Sequence, residues 1–63
     1  MHIEYDIFGT FADSGPIWIE SVKDLEVAKE RVARLMHNQP GEYRIYDLSR
    51  GQIVFSRRAA AKN

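Results

Sequence analysis

Cysteine is absent from this 63-residue chain. That excludes disulfides and thiolate metal sites as sources of stability, and it removes the strongest side-chain nucleophile from any catalytic reading. It also fits a reducing compartment. Long apolar runs are missing as well. No stretch approaches the ~20 residues that cross a bilayer, and the opening "MHIEYDIFG" lacks the basic start and continuous apolar run of a signal peptide. The cytoplasm is the expected location, and no membrane partner is expected.

Net charge is also lacking, with nine basic residues against nine acidic ones. Nucleic-acid binders usually show a clear basic excess. A glycine-rich phosphate loop is missing too: "DSGP" and "SRG" carry one glycine each and lead into strand patterns, not helices. A chain of this length buries only about 60% of the surface its unfolded form exposes. With no covalent or metal staple, stability must come from packing or from association with another chain.

What is present is an ordinary globular composition, 44% hydrophobic and 29% charged. The charges are unevenly spread. Residues 1–28 hold six acids against Lys23 alone, whereas residues 29–63 hold eight bases against Glu30, Glu42 and Asp47. Such a split marks either a contact surface or acidic and basic elements lying side by side.

The first ten positions alternate. Ile3, Tyr5 and Ile7 fall on one side and His2, Glu4 and Asp6 on the other, which predicts a half-buried strand with a bulge or bend at Gly9. "ADSGP" is turn chemistry, and "IWIESV" predicts a second strand closing an antiparallel hairpin. In "SVKDLEVAKERVARLMHN", Leu25, Ala28, Val32, Leu35 and Met36 make one apolar helical stripe. Its start reads as a Ser21–Asp24 capping box or as an Asp24 N-cap, and Asn38 is expected as a left-handed C-cap before Pro40 and Gly41. The closing pattern "PGEYRIYDLSRGQIVF" predicts a hairpin with Gly51 at positive φ. With Asp47 opposite Gln52, simple alternation pairs Tyr46 with Ile53, Ile45 with Val54 and Arg44 with Phe55.

The expected fold is therefore α+β: a two-layer β-β-α-β-β domain over residues 1–58, one helix on a four-stranded, mainly antiparallel sheet. Residues 59–63 form a short C-terminal tail. The helix stripe is expected to cover Ile3, Tyr5, Ile7, Ile45 and Val54, with Tyr43 beside them.

The runs "YDIFG", "WIESV", "LEVAKERVARL", "PGEYRIYD" and "GQIVF" cover almost the whole chain. Together they resemble short uncharacterised bacterial proteins in which a Trp-x-Glu strand, a Leu-x-x-Ala helix and a Pro-Gly-Glu-Tyr hairpin recur. The resemblance implies a small bacterial fold. It supplies no activity, cofactor or catalytic residue.

No catalytic constellation is legible. The four serines fall at turns, a cap or a strand end, and the two histidines lie at the N-terminus and the helix end. His2, Glu4 and Asp6 share a strand side but spread over about 13 Å, too far for one metal ion without helpers. A non-enzymatic role without cofactor or metal is expected. The surplus of large side chains on the uncovered sheet face directs attention to an interface of Trp18, Arg44, Tyr46, Ile53, Phe55 and Arg57, with Phe8 nearby. Its expected occupant is a second copy, in a homodimer, or another protein. Single-stranded nucleic acid stacking on Tyr46 and Phe55 beside Arg44, Arg57 and Arg58 is the alternative.

Overall fold

A computed structural model describes residues 4–11 and 15–58. His2, Ile3 and the expected tail at 59–63 lie outside the described residues. The element order is β1 (Tyr5–Thr10), β2 (Ile17–Val22), α1 (Leu25–Asn38), β3 (Glu42–Asp47) and β4 (Gln52–Arg58). This is the α+β, β-β-α-β-β arrangement. All strand pairings are antiparallel, and the order across the sheet is β2-β1-β3-β4. The helix carries the chain from edge strand β2 over one sheet face to the central strand β3.

Helix α1 starts at Asp24, whose extended backbone (φ −130°) and side chain make it the N-cap. Its carboxylate accepts from the Glu26 amide at 2.8 Å, satisfying one of the donors a helix start leaves free. Of the two starts readable in the sequence, Asp24 alone is realised. At the other end, the expected left-handed Asn38 is corrected. Asn38 is the last helical residue, and the chain leaves through Gln39 in an extended conformation (φ −143°). The physical reason is Pro40, whose ring crowds the preceding residue out of helical backbone. The Tyr43 hydroxyl instead completes the helix end, donating to the carbonyl oxygens of Gln39 (2.6 Å) and Leu35 (3.3 Å).

The core lies between helix and sheet. Ile7, Ala28, Val32, Tyr43 and Ile45 are fully buried, and Leu25, Leu35, Met36, Tyr5, Phe11, Ile19, Val22, Val54 and Phe55 pack around them. Each fully buried aliphatic side chain contributes about 1.5–3 kcal/mol. Gly9 keeps its place in the ladder, paired with Ile17 on one side and Tyr43 on the other, and the bulge in this hairpin lies opposite Ile7 and Phe8. Together with Gly41, Gly9 opens a notch for the Phe11 ring: a Cβ on Gly9 would lie 2.8 Å from Phe11 Cζ, and one on Gly41 2.7 Å from Phe11 Cδ1. Phe11 then meets Tyr43 edge-on, with ring centroids 5.6 Å apart.

Two bulges set the faces. In β2, Ile19 is an extra residue between the pairs Ile7–Glu20 and Phe8–Trp18. In β4, Val54 is an extra residue between Ile45–Phe55 and Tyr46–Ile53. A bulge adds one residue and reverses the alternation beyond it. The pairs Asp47–Gln52 and Tyr46–Ile53 match the alternation, but the next two are corrected: Phe55, not Val54, stands opposite Ile45, and Ser56, not Phe55, stands opposite Arg44.

Candidate functional site: the uncovered sheet face

Partner registers sort every strand residue to a face. Ile7, Tyr43 and Ile45 point to the helix, so their in-between neighbours point outward. The outer face carries a row of Trp18, Phe8, Arg44 and Ser56 across the four strands. Next to it runs a row of Ser21, Asp6, Tyr46 and Ile53. Each strand thus contributes one large apolar or aromatic side chain. Trp18 and Phe8 lie in the first row, and Tyr46 and Ile53 in the second, so the four form a stepped stripe from edge to edge.

Exposure is greatest at the two ends of the stripe. Trp18 is 56% exposed and Ile53 51%, whereas Phe8 and Tyr46 between them are half-buried by their neighbours. Leu48, opening the β3–β4 turn, is also exposed. Polar groups flank the stripe in paired form. Arg44 Nη2 donates to Glu42 Oε2 at 3.0 Å, and the Ser21 hydroxyl donates to the Asp6 carboxylate. The alternation of β1 carries Glu4 to this face, while the pairing of Glu42 with Arg58 places Arg58 there. The face is therefore acidic on the β2–β1 side, with Glu4 and Asp6. On the β3–β4 side Arg44 and Arg58 outnumber Glu42.

Of the six residues expected to form an interface, Trp18, Arg44, Tyr46 and Ile53 are brought together on this face. Phe55 and Arg57 are not, which corrects their expected placement. Beyond the Val54 bulge both turn to the helix side, Phe55 opposite Ile45 and Arg57 opposite Tyr43. Phe55 packs on the core with the Lys29 ammonium 5.5 Å from its ring centroid. Arg31 Nη1 reaches Glu20 Oε1 at 3.2 Å. Two cationic side chains of α1 thus strap the helix to β2 on one flank and to β4 on the other.

Alternation in the sequence also missed Asp47, which is buried in the β3–β4 turn. One carboxylate oxygen accepts from the Ser49 hydroxyl (2.8 Å), the Ser49 amide (2.9 Å) and the Arg50 amide (3.1 Å). The Ser49 hydroxyl, then the two amides and the Arg50 charge, hold its pKa below the usual carboxylate value against the opposing effect of burial. Gly51 closes the turn at φ 67°. The "DLSRG" string carries this signal, because Asp followed by Ser two residues on is a side-chain-capped turn. Every acceptor position of Asp47 that the structure shows in use serves this turn, so the group is structural. Burial pushes the Tyr43 hydroxyl pKa up, and its bonds likewise serve the helix end.

Among the described residues, no cluster of three or more His, Asp or Glu side chains is placed to hold a metal ion. No helix among them is long and apolar enough to cross a membrane. No protein-family model, curated protein or solved structure matches the chain.

Proposed function

We propose that this chain is a non-enzymatic protein-interaction module whose contact surface is the outer sheet face. One observation carries the reading: the stripe Trp18–Phe8–Tyr46–Ile53, which no described element covers and whose two ends are more than half exposed. Apolar side chains contiguous across a whole sheet and rimmed by paired charges are the pattern of a contact surface. Tryptophan, tyrosine and arginine are also the side chains that dominate interface energetics.

Single-stranded nucleic acid is the competing occupant, and three features of the face weigh against it. Arg44 is held by Glu42, Glu4 and Asp6 share the face, and the Phe55 ring with Arg57 lies on the other side of the sheet. What remains is one tyrosine, one phenylalanine and one tryptophan among carboxylates that repel phosphate.

The test is a photo-reactive phenylalanine analogue placed at position 18, 53 or 27, one at a time, in cells. Positions 18 and 53 are expected to form protein adducts that disappear with Tyr46→Asp. Position 27, exposed on α1, is expected to form none. Adducts with nucleic acid at 18 and 53, or equal protein adducts from position 27, would overturn the reading.

A further inference from the structure

We infer that the partner is a second copy of this chain, stacked sheet on sheet about a two-fold axis parallel to the strands, so that β2–β1 of one copy covers β3–β4 of the other. This rests on the outer face being the contact surface, and it specifies what occupies that surface and how.

Symmetry leaves two ways to stack two copies of an open sheet face to face with strands aligned. An axis running across the strands lays β1 on the partner's β1 and β4 on the partner's β4. The acidic side of the face then lies along its own copy, and the Arg44–Arg58 side along itself. An axis parallel to the strands, between β1 and β3, exchanges the two halves. The acidic side then lies on the basic side, twice over, once for each copy. The exposed apolar residues are compatible with the same axis. Trp18 and Ile53 lie on opposite edges, on β2 and β4. The exchanged stack lays the Trp18 edge of one copy along the Ile53 edge of the other, with Trp18 over the partner's Ser56 and Ile53 over the partner's Ser21, one row apart.

The rows fit in detail. The strand-parallel axis sets Phe8 over the partner's Arg44 and Asp6 over the partner's Tyr46. These repeat, between sheets, the neighbour relations that the β1–β3 register makes within one sheet. Ring over guanidinium and phenol hydroxyl to carboxylate are both favourable pairings.

Area decides how complete the stack must be. Four strands at about 4.8 Å spacing and six residues at ~3.3 Å each give a face of roughly 400 Å² in projection. The smallest standard-size interfaces take about 600 Å² of accessible surface per partner. A corner contact falls short, so the whole face, with its side-chain relief, has to be used.

The chain has no cysteine, so single cysteines accept a nitroxide cleanly. Ser56→Cys on β4, spin-labelled and free of ¹⁵N, is mixed with ¹⁵N-labelled native protein. The expected result is broadening of β2 amides, Ile17–Val22, in the native copy. A second label at Lys23→Cys, beside the end of β2, is expected to broaden the Gln52 end of β4. Broadening of β4 by the Ser56→Cys label would show like strands stacked and overturn the proposed axis. Sedimentation at the single-chain mass of 7.3 kDa up to millimolar concentration would overturn the second copy altogether. The photo-adducts at position 18 keep the two readings apart. Adducts at twice the chain mass support the stack. Adducts of another mass with a monomeric chain leave the contact surface standing and remove the homodimer. No adduct and no dimer remove both.

Discussion

Ile53 and Phe55 are two residues apart on β4, and by alternation they share a face. The Val54 bulge puts them on opposite faces, so truncating each to alanine tests the bulge directly. Phe55 packs on the core and lies under Lys29. Fully buried phenylalanine costs about 3–5 kcal/mol on truncation; at a half-buried site the expected loss is roughly 2–3 kcal/mol. The ammonium–ring contact supplies about 0.5–1 kcal/mol of that. Ile53 is 51% exposed, so about half of a ~2 kcal/mol side-chain burial is at stake, near 1 kcal/mol or less. A chain of 63 residues has a total stability of only about 3–9 kcal/mol at 0.05–0.15 kcal/mol per residue. Phe55→Ala should therefore shift a urea midpoint far down, whereas Ile53→Ala should barely move it. The assay is far-ultraviolet circular dichroism against urea, at protein concentrations low enough to exclude association. A double cycle with Lys29→Ala isolates the ring contact, which should vanish in the Phe55→Ala background. Equal losses at the two positions, or a larger one at Ile53, would refute the bulged register and return Phe55 to the outer face.

Gly41→Ala sets a methyl 2.7 Å from the Phe11 ring and 2.9 Å from the Thr10 carbonyl. Backbone cannot yield cheaply, so urea titration should show a loss of about 1–3 kcal/mol. Tyr43→Phe removes the hydroxyl that meets the Leu35 and Gln39 carbonyls. Its cost should be roughly 1–2 kcal/mol, with faster amide exchange confined to the last turn of α1. Asp47 has a folded pKa below its ordinary value, so its stabilising contribution is complete above the unfolded carboxylate pKa. That contribution is lost as pH falls through the folded one. Asp47→Asn should lower the thermal midpoint at neutral pH and flatten its decline below about pH 4. A variant that keeps the native acid slope would place that slope on other carboxylates.

Much of the fold was legible because it follows from periodicity. The alternation of Tyr5 and Ile7, the stripe from Leu25 to Met36, and the glycine of "LSRG" each report a local geometry that the chain adopts. Strand order was not legible. Nothing in β2 or β3 as isolated strings says that β1, not β2, lies beside β3; that follows from where the helix crosses. The bulges were hidden for a related reason. One inserted residue changes no composition, and both Val54 and Ile19 are good strand residues on either face. The helix end was misread at Asn38 because Pro40, two residues later, acts through Gln39. Four of the six expected interface residues came together, since Trp18 stands at the bulge and Arg44, Tyr46 and Ile53 lie before the slip in β4. Phe55 and Arg57 lie beyond it.

The bulges also answer why so small a domain can leave a sheet face open. Without them, Phe55 would point outward, and the core would lose one of its largest rings from a chain with little surface to bury. With them, Ile19 packs on the helix side of β2, and Val54 and Phe55 on that of β4, so one helix has enough apolar partners to hold the sheet. The outer face is then reduced to a single apolar side chain per strand. That is too much for water to cover without cost, yet too little for a second core. If two copies stack on this face as proposed, the exchanged arrangement sets its acidic side on its basic side, so that its charges would select orientation more than affinity.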